Sequence, residues 1–379
     1  MDKIYLDYAA TTPVDPLVVQ SMLPFFTDTF GNPSSLHVYG QRADQELNRC
    51  RRQILDLTHA SNADLIFTSG GTESDNLVIK GSLNTHHLVS NQNLVISPIE
   101  HPAIATTCAQ LEKDISIKKL RVDKYGLVDT DHLISSIDKQ TKLVSVIWAN
   151  NEIGTINDIQ KIGTLCAEKG VRFHTDGVQG FAYLDVDWNN WNVDLMSFGA
   201  HKFYGPKGVG GLIIKKGTIL DPIQTGGSQE NNLRAGTQNL PLIVGMTKAF
   251  ELVNEYRDVW NSKYINLRNM IIEEVTRSIP GAYLTGHPEK RLPNHASFVF
   301  DGILGQDLVI GLDMAGFAVS SGSACKVGKP SPSQVLLSIG IPEDLAKGAL
   351  RVTVGRATTE EQVLNFLPEL RRLVNNLRT

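Results

Sequence analysis

Short apolar runs alternate with stretches of helical periodicity along the first two thirds of the chain. Residues 65–68, 94–97, 142–149, 171–176, 193–198 and 212–214 read as strands, closed mostly by polar or Gly/Pro turns. Helical spacing runs over 41–58, where Leu47, Ile54 and Leu57 share a face. It also covers a segment through Lys80, one after residues 99–103 through Leu111, and 158–169. Such alternation predicts an α/β fold, a largely parallel sheet with helices on both faces. The opening run from Tyr5 to Pro13 reads as a short strand and turn, and 31–37 as a loop. Residues 241–278 are mostly helical and bridge to a second region, 256–379. There strands (296–300, 351–354) mix with helices (306–314, 359–376).

Sheets of this kind gather ligands at the carboxyl ends of their strands. Residues 68–72, His101, Asn151, Asp176 and Lys202 all stand at or just after such ends. Their shared placement predicts one site. Ser69-Gly70-Gly71-Thr72 joins a strand to a helix N-terminus, where free N–H groups and the helix dipole favour an anion. The same residues also suit a plain helix cap, and no Walker motif follows. His101 precedes a helix, so it is either a cap or an imidazole for acid–base work near neutral pH. Asn151 is a turn former or a ligand. Lys202 sits where a strand gives way to Gly205-Pro206. It is either a surface lysine in a hairpin or a desolvated amine nucleophile. An acid and a lysine at two strand ends are what pyridoxal phosphate needs.

Cys325 differs from Cys50, Cys108 and Cys166. The other three fall on helical segments, whereas Cys325 lies in a Gly/Ser/Pro run flanked by Lys326 and Lys329. Nearby positive charge lowers a thiol pKa, although an exposed loop cysteine needs no function. Arg351 begins an apolar strand, and its fork can grip a carboxylate. Arg356 reads as a structural ion pair.

His174-Thr175-Asp176-Gly177-Val178-Gln179, Ala200-His201-Lys202-Phe203-Tyr204-Gly205-Pro206-Lys207-Gly208 and Ser320-Ser321-Gly322-Ser323-Ala324-Cys325 resemble the motifs of cysteine desulfurases. These belong to the class-V aminotransferases, and the long segment after Cys325 resembles their long-loop subgroup. The resemblance implies a fold-type-I pyridoxal-phosphate transferase. A large domain (12–255) would hold a mostly parallel seven-stranded sheet between helices. A small α+β domain (1–11 and 256–379) would carry the cysteine loop, about 318–333. Lys202 would hold pyridoxal 5′-phosphate as a Schiff base, His101 would lie against the ring and move protons, and Asp176 would keep the ring nitrogen protonated. Gln179 would bond the ring oxygen. Gly71, Thr72, Gly199, His201 and the neighbouring subunit's Thr237 would surround the phosphate, which implies a homodimer. Asn32, Asn151 and Arg351 would bind L-cysteine. Cys325 would take its sulfur as a persulfide and pass it to an acceptor such as an iron–sulfur scaffold, serving as an iron–sulfur ligand during transfer.

One position departs from the family pattern. Gly199 stands where the family has a serine that bonds the phosphate. The missing hydrogen bond predicts weaker cofactor retention, by about 1–3 kcal/mol. Strand alternation would put residues 197, 199 and 201 on one face, so that His201 still points toward the phosphate. A selenocysteine or cysteine lyase, an aminotransferase and a non-catalytic scaffold are the competing readings.

Composition adds exclusions. The chain has 379 residues, 41% hydrophobic and 20% charged, which permits two domains. A formal charge of −4 argues against direct nucleic-acid binding. Four scattered cysteines without a CxxC pair indicate neither a disulfide framework nor a resident metal site. No signal pattern or membrane-length apolar run is present. These features predict a cytoplasmic protein.

Overall fold

The computed structural model describes residues 3–83, 92–322 and 332–378. The chain opens on a two-residue strand, β1 (Ile4–Tyr5). The next seven strands are β2 (Ala63–Thr68), β3 (Asn93–Ile96), β4 (Ser116–Lys119), β5 (Thr141–Ser145), β6 (Arg172–Asp176), β7 (Leu195–Gly199) and β8 (Gly210–Lys215). They form one seven-stranded sheet in the order β2-β8-β7-β6-β5-β3-β4. Only β8 runs against its neighbours, pairing antiparallel with both β2 and β7. Further on, β9 (Ala282–Leu284), β10 (His295–Phe300), β11 (Phe317–Ala318) and β12 (Ala349–Thr353) follow. Strands β12, β10 and β9 make a three-stranded antiparallel sheet, and β11 pairs with β1.

The helix Leu240–Ser278 runs unbroken for 39 residues. It crosses residues 255–256 and links the two sheet regions. Asn239 caps its start, its side chain accepting the Leu242 N–H, and a proline occupies its first turn. Its Phe250 packs on Phe181 (5.1 Å between ring centroids) and Phe203 (5.8 Å), and Phe181 stacks on Phe198 at 4.4 Å. All four rings are buried. They lie under the β7 exit and hold the Lys202 turn against the core.

Two local expectations change. The strand predicted over 142–149 ends at Ser145. Beyond it the Val146 N–H still donates to His174 O (3.1 Å) and the Trp148 N–H to Asp176 O (3.0 Å), so the ladder continues irregularly. Strand alternation also does not reach His201. β7 stops at Gly199, and Ala200–Lys202 wind into a single 3₁₀ turn. That tighter winding, not a shared strand face, turns His201 and Lys202 together into one cavity. No helix among the described residues is long and apolar enough to cross a membrane.

Candidate active site

A cavity of about 190 Å³ opens at the carboxyl ends of the central strands. Gly71, Thr72, His101, Asn151, Asp176, Gln179, His201 and Lys202 line it, together with Asp75 and Val178. A larger groove of about 450 Å³ runs between the helices Leu240–Ser278 and Glu360–Arg378. Its walls include Met270, Leu364 and Pro368 with a charged rim, and no amine or imidazole converges there. Among the described residues, the convergent amine, imidazoles and carboxyls therefore line the smaller cavity.

One end of the cavity is the start of the helix Gly71–Gly81. Its N-cap is Gly70, so no side chain caps the first-turn N–H groups. Gly70 holds φ 152° and ψ 178°, a region essentially restricted to glycine. Gly210 must also be bare, since a Cβ there would fall 2.7 Å from Gly70 Cα. Close packing of bare backbone thus leaves an open, uncapped N-terminus.

Lys202 Nζ donates to Ala9 O and Ala10 O, both at 2.7 Å. Burial lowers its pKa to about 8. The Arg351 charge acts the same way, while Asp7 and Asp176 oppose it. Asp176 is buried at the end of β6, and its Oδ1 accepts the Val178 N–H at 2.9 Å. Burial pushes its pKa up, while His101, that N–H and Lys202 hold it back. His101 Nδ1 accepts the Ala103 N–H at 3.1 Å, capping the helix Pro102–Leu111. The neutral ring therefore carries its proton on Nε2. Burial keeps its pKa below the ordinary histidine value. His101 thus caps a helix and lines the cavity.

His201 Nδ1 meets Thr11 Oγ1 at 3.1 Å. Burial first, then Lys202, Lys207 and His101, drag its pKa to about 4. The ring is neutral at pH 7. Gln179 Nε2 donates to Ala9 O at 2.9 Å. The segment of residues 9–12 therefore forms part of the site through its carbonyls and hydroxyls.

Arg351 stands on β12, nearly fully buried. Its Nη2 donates to Asp7 Oδ1 at 2.7 Å and its Nη1 to Asn151 O at 2.8 Å. Its backbone N–H donates to Ser320 O at 2.6 Å, and the Ser320 N–H returns a bond to Arg351 O at 3.2 Å. On the C-terminal side, Ser333 Oγ donates to Glu152 Oε2 at 2.5 Å. The described flanks of the segment that contains Cys325 are thus tied beside Arg351 and Asn151.

The chain matches the family described as Aminotransferase class-V over residues 4–366. It is 43% identical over 381 residues to a protein of Dictyoglomus turgidum called cysteine desulfurase IscS, covering 100% of this chain and 96% of that one. The chain belongs to the cysteine desulfurases. Among solved structures of this kind, a NifS-like protein superposes with a TM-score of 0.91 at 33% identity, covering 99% of this chain and 100% of that one. A second, described as SspA in complex with cysteine, gives a TM-score of 0.80 at 31% identity, covering 94% and 100%.

Within this desulfurase fold, several expected residues stay outside the cavity. Asn32 is exposed on its loop, its Oδ1 accepting the Ser34 N–H at 3.0 Å. Thr237 is exposed on the loop that Arg234 ties to Glu73 at 2.9 Å. Gly199 faces the helix start: a Cβ there would lie 3.3 Å from Gly71 N. Cys325 lies outside the described residues. Cys50, Cys108 and Cys166 are buried and free, their thiols pushed up by burial to about 11, about 12 and about 12. Arg356 is the structural pair expected, bonded to Asp15 at 2.7 Å and stacked on Tyr204 and Trp260.

Sequence reasoning missed Asp75, Glu100, His174 and Asp7. Asp75 carried a usable signal, standing four residues after Gly71 on one helix. The other three reach the site or its floor only through tertiary packing.

Proposed function

We propose that this chain uses pyridoxal 5′-phosphate to remove sulfur from L-cysteine. L-alanine is released, and the sulfur passes as a persulfide on Cys325 to an acceptor protein. The observation that carries the reading is the Lys202 amine, depressed to about 8 and sharing a cavity with Asp176.

The cavity suits this cofactor on three counts. The uncapped start of the helix Gly71–Gly81 receives a phosphate. The Asp176 carboxyl faces the same space and can hold a proton on a ring nitrogen. Lys202 supplies the amine for covalent attachment. When bound there, the ring supplies an electron sink for charge developing on the amino acid. His101 Nε2 and the Lys202 amine hold and move protons beside it. His201 completes the phosphate end as a neutral ring, with Thr72 adding a hydroxyl. Gln179 has one amide N–H on Ala9 O and keeps the other for a ring oxygen. Arg351 and Asn151 orient the cysteine carboxylate.

The Cys325 thiolate then takes the substrate sulfur. The carbon–sulfur bond breaks, a sulfur–sulfur bond forms, and protons return to carbon. Cysteine plus thiol becomes alanine plus persulfide, with no outside oxidant or reductant. The flanks at Ser320 and Ser333, held beside Arg351 and Glu152, support delivery of that thiol to this cavity.

A homodimer completes the reading. Leu17, Leu23, Phe26, Phe30, Leu36 and Tyr39 are all exposed within residues 17–39, apolar surface suited to a second copy. Thr237 would reach the neighbouring phosphate across it. Division into 12–255 and 1–11 with 256–379 is supported by the separate seven-stranded and three-stranded sheets and by the pairing of β1 with β11. Three buried free thiols suit a reducing cytoplasm.

The test is purified protein given pyridoxal phosphate and L-cysteine. Visible colour, alanine equal to transferred sulfur, and loss of both in Lys202→Ala are expected. Alanine release with no persulfide on the protein would point to a lyase instead.

A further inference from the structure

The helix Gly71–Gly81 sends one acid under the cavity. Asp75 and Gly71 share a helix face, four residues apart, and both line the cavity. Asp75 is 1% exposed, and its Oδ1 has no hydrogen-bond partner among the described residues. The His174 ring approaches it, with Nε2 3.7 Å from Oδ1. That contact is not an ion pair. His174 Nδ1 meets Ser145 Oγ at 2.9 Å, its Nε2 meets Ser197 Oγ at 3.0 Å, and burial drags its pKa to about 3. The Ser197 hydroxyl also acts on Asp75, opposing the rise in its pKa. Strand pairing sets this layout, because Asp176 stands opposite Ser197 and His174 shares the face of Asp176 two residues earlier.

A third carboxyl, Glu100, completes the group. Its Oε1 accepts the Ile147 N–H at 2.7 Å, and its Oε2 is unpartnered among the described residues. The titratable groups facing this region are His174 and Asp176 on β6, Glu100 and His101 before the helix Pro102–Leu111, and Lys202 after β7. Three carboxyls buried in one region disfavour one another's charge. Asp176 has a backbone N–H and the attraction of His101 and Lys202. Asp75 has only a hydroxyl to stabilise its charge, and burial raises its pKa well above the carboxylate range.

We propose that Asp75 is a positioning residue of the cofactor site that works as a neutral carboxylic acid. It braces the Ser197–His174 pair beside Asp176, presents a hydrogen-bond donor to the cavity, and leaves Asp176 as the anion of that pair. The inference rests on the cofactor reading above.

Infrared difference spectra of cofactor-free protein at pH 7 test the protonation state directly. Wild type minus Asp75→Asn should show the carbonyl stretch of a protonated carboxyl, and its absence overturns the proposal. Equilibrium binding of pyridoxal phosphate, followed by absorbance, tests the role. Asp75→Asn keeps the donor and should bind within about threefold of wild type, whereas Asp75→Ala should bind about tenfold more weakly. Asn as weak as Ala means that a charge is required, and Ala equal to wild type means no role; either result overturns the proposal. Ser197→Ala keeps every carboxyl and removes the tether, so it should weaken binding severalfold even if Asp75→Ala fails to fold. Unchanged binding in Ser197→Ala also counts against it. Wild type that takes up no pyridoxal phosphate defeats the cofactor reading, yet leaves the infrared band in place, so the two failures are distinct.

Discussion

Asp7 Oδ1 accepts a hydrogen bond from Arg351 Nη2 at 2.7 Å, joining the opening of the chain to β12 across 344 residues. The guanidinium side is 5% exposed and the carboxylate side 18%. A second bond, from Arg351 Nη1 to Asn151 O, fixes the fork beside the cavity. The chain's first residues thereby hold its candidate carboxylate-binding arginine in place.

Asp7→Leu should destabilise the protein by about 3 kcal/mol, because it strands a buried cation. Arg351→Leu in the same background should recover part of that loss. Urea unfolding of the two single variants and the double variant checks the coupling, and strict additivity would argue that the pair is energetically idle.

Cofactor attachment should follow the neutral fraction of Lys202. Its pKa is lowered to about 8, so uptake by cofactor-free protein should rise about tenfold per pH unit below 8 and level off above it. Linkage has the same origin. Between about 8 and the ordinary lysine value near 10.4, the unfolded chain binds more protons, so stability from this group rises with pH across that window. Stopped-flow absorbance from pH 6 to 10 measures the first effect. An inflection near 10 would mean that the amine is solvated.

Gly199→Ser should tighten pyridoxal phosphate binding by about tenfold. The new Cβ sits 3.3 Å from Gly71 N, close enough to need a small adjustment, and its hydroxyl would join the uncapped helix start. Gly199→Val adds the same crowding without the hydroxyl and should weaken binding. Fluorescence titration of both variants separates crowding from hydrogen bonding.

Alkylation of native protein at pH 8 should label Cys325 ahead of the other cysteines. Burial pushes Cys50, Cys108 and Cys166 to about 11 or 12, leaving almost no thiolate. Mass spectrometry of the labelled peptides reads the result. Cys325→Ser should keep the cofactor's colour and lose the persulfide.

Phe198→Ala should cost about 3–5 kcal/mol, since the ring is fully buried and stacked on Phe181. Cofactor binding should weaken as well, because that ring cluster lies under the Lys202 turn. Thermal unfolding of the cofactor-free variant measures the first effect.

Much of the site was legible because strand endings are local events. The turns after Thr68, Asp176 and Gly199 follow from glycine and polar residues closing apolar runs, and a parallel sheet brings such endings to one edge. Glu100 and His174 were hidden for a different reason. Their meaning depends on which strands become neighbours, and the pairing of β6 with β7 is not written within either strand. The carbonyls of Ala9 and Ala10 were equally silent, because a backbone oxygen leaves no trace in side-chain chemistry.

The order of most strands and helices, the glycine-opened helix start, the strand-end acid and the lysine were encoded by local periodicity and turn chemistry, which act over a few residues; the edge strand β4 was not. Folding alone settled that the Lys202 amine is desolvated, that His201 is turned inward by a 3₁₀ step, and that Asp7 reaches Arg351. Burial, charge coupling and long-range pairing arise from residues far apart in the chain, so they exist only once those residues share one interior.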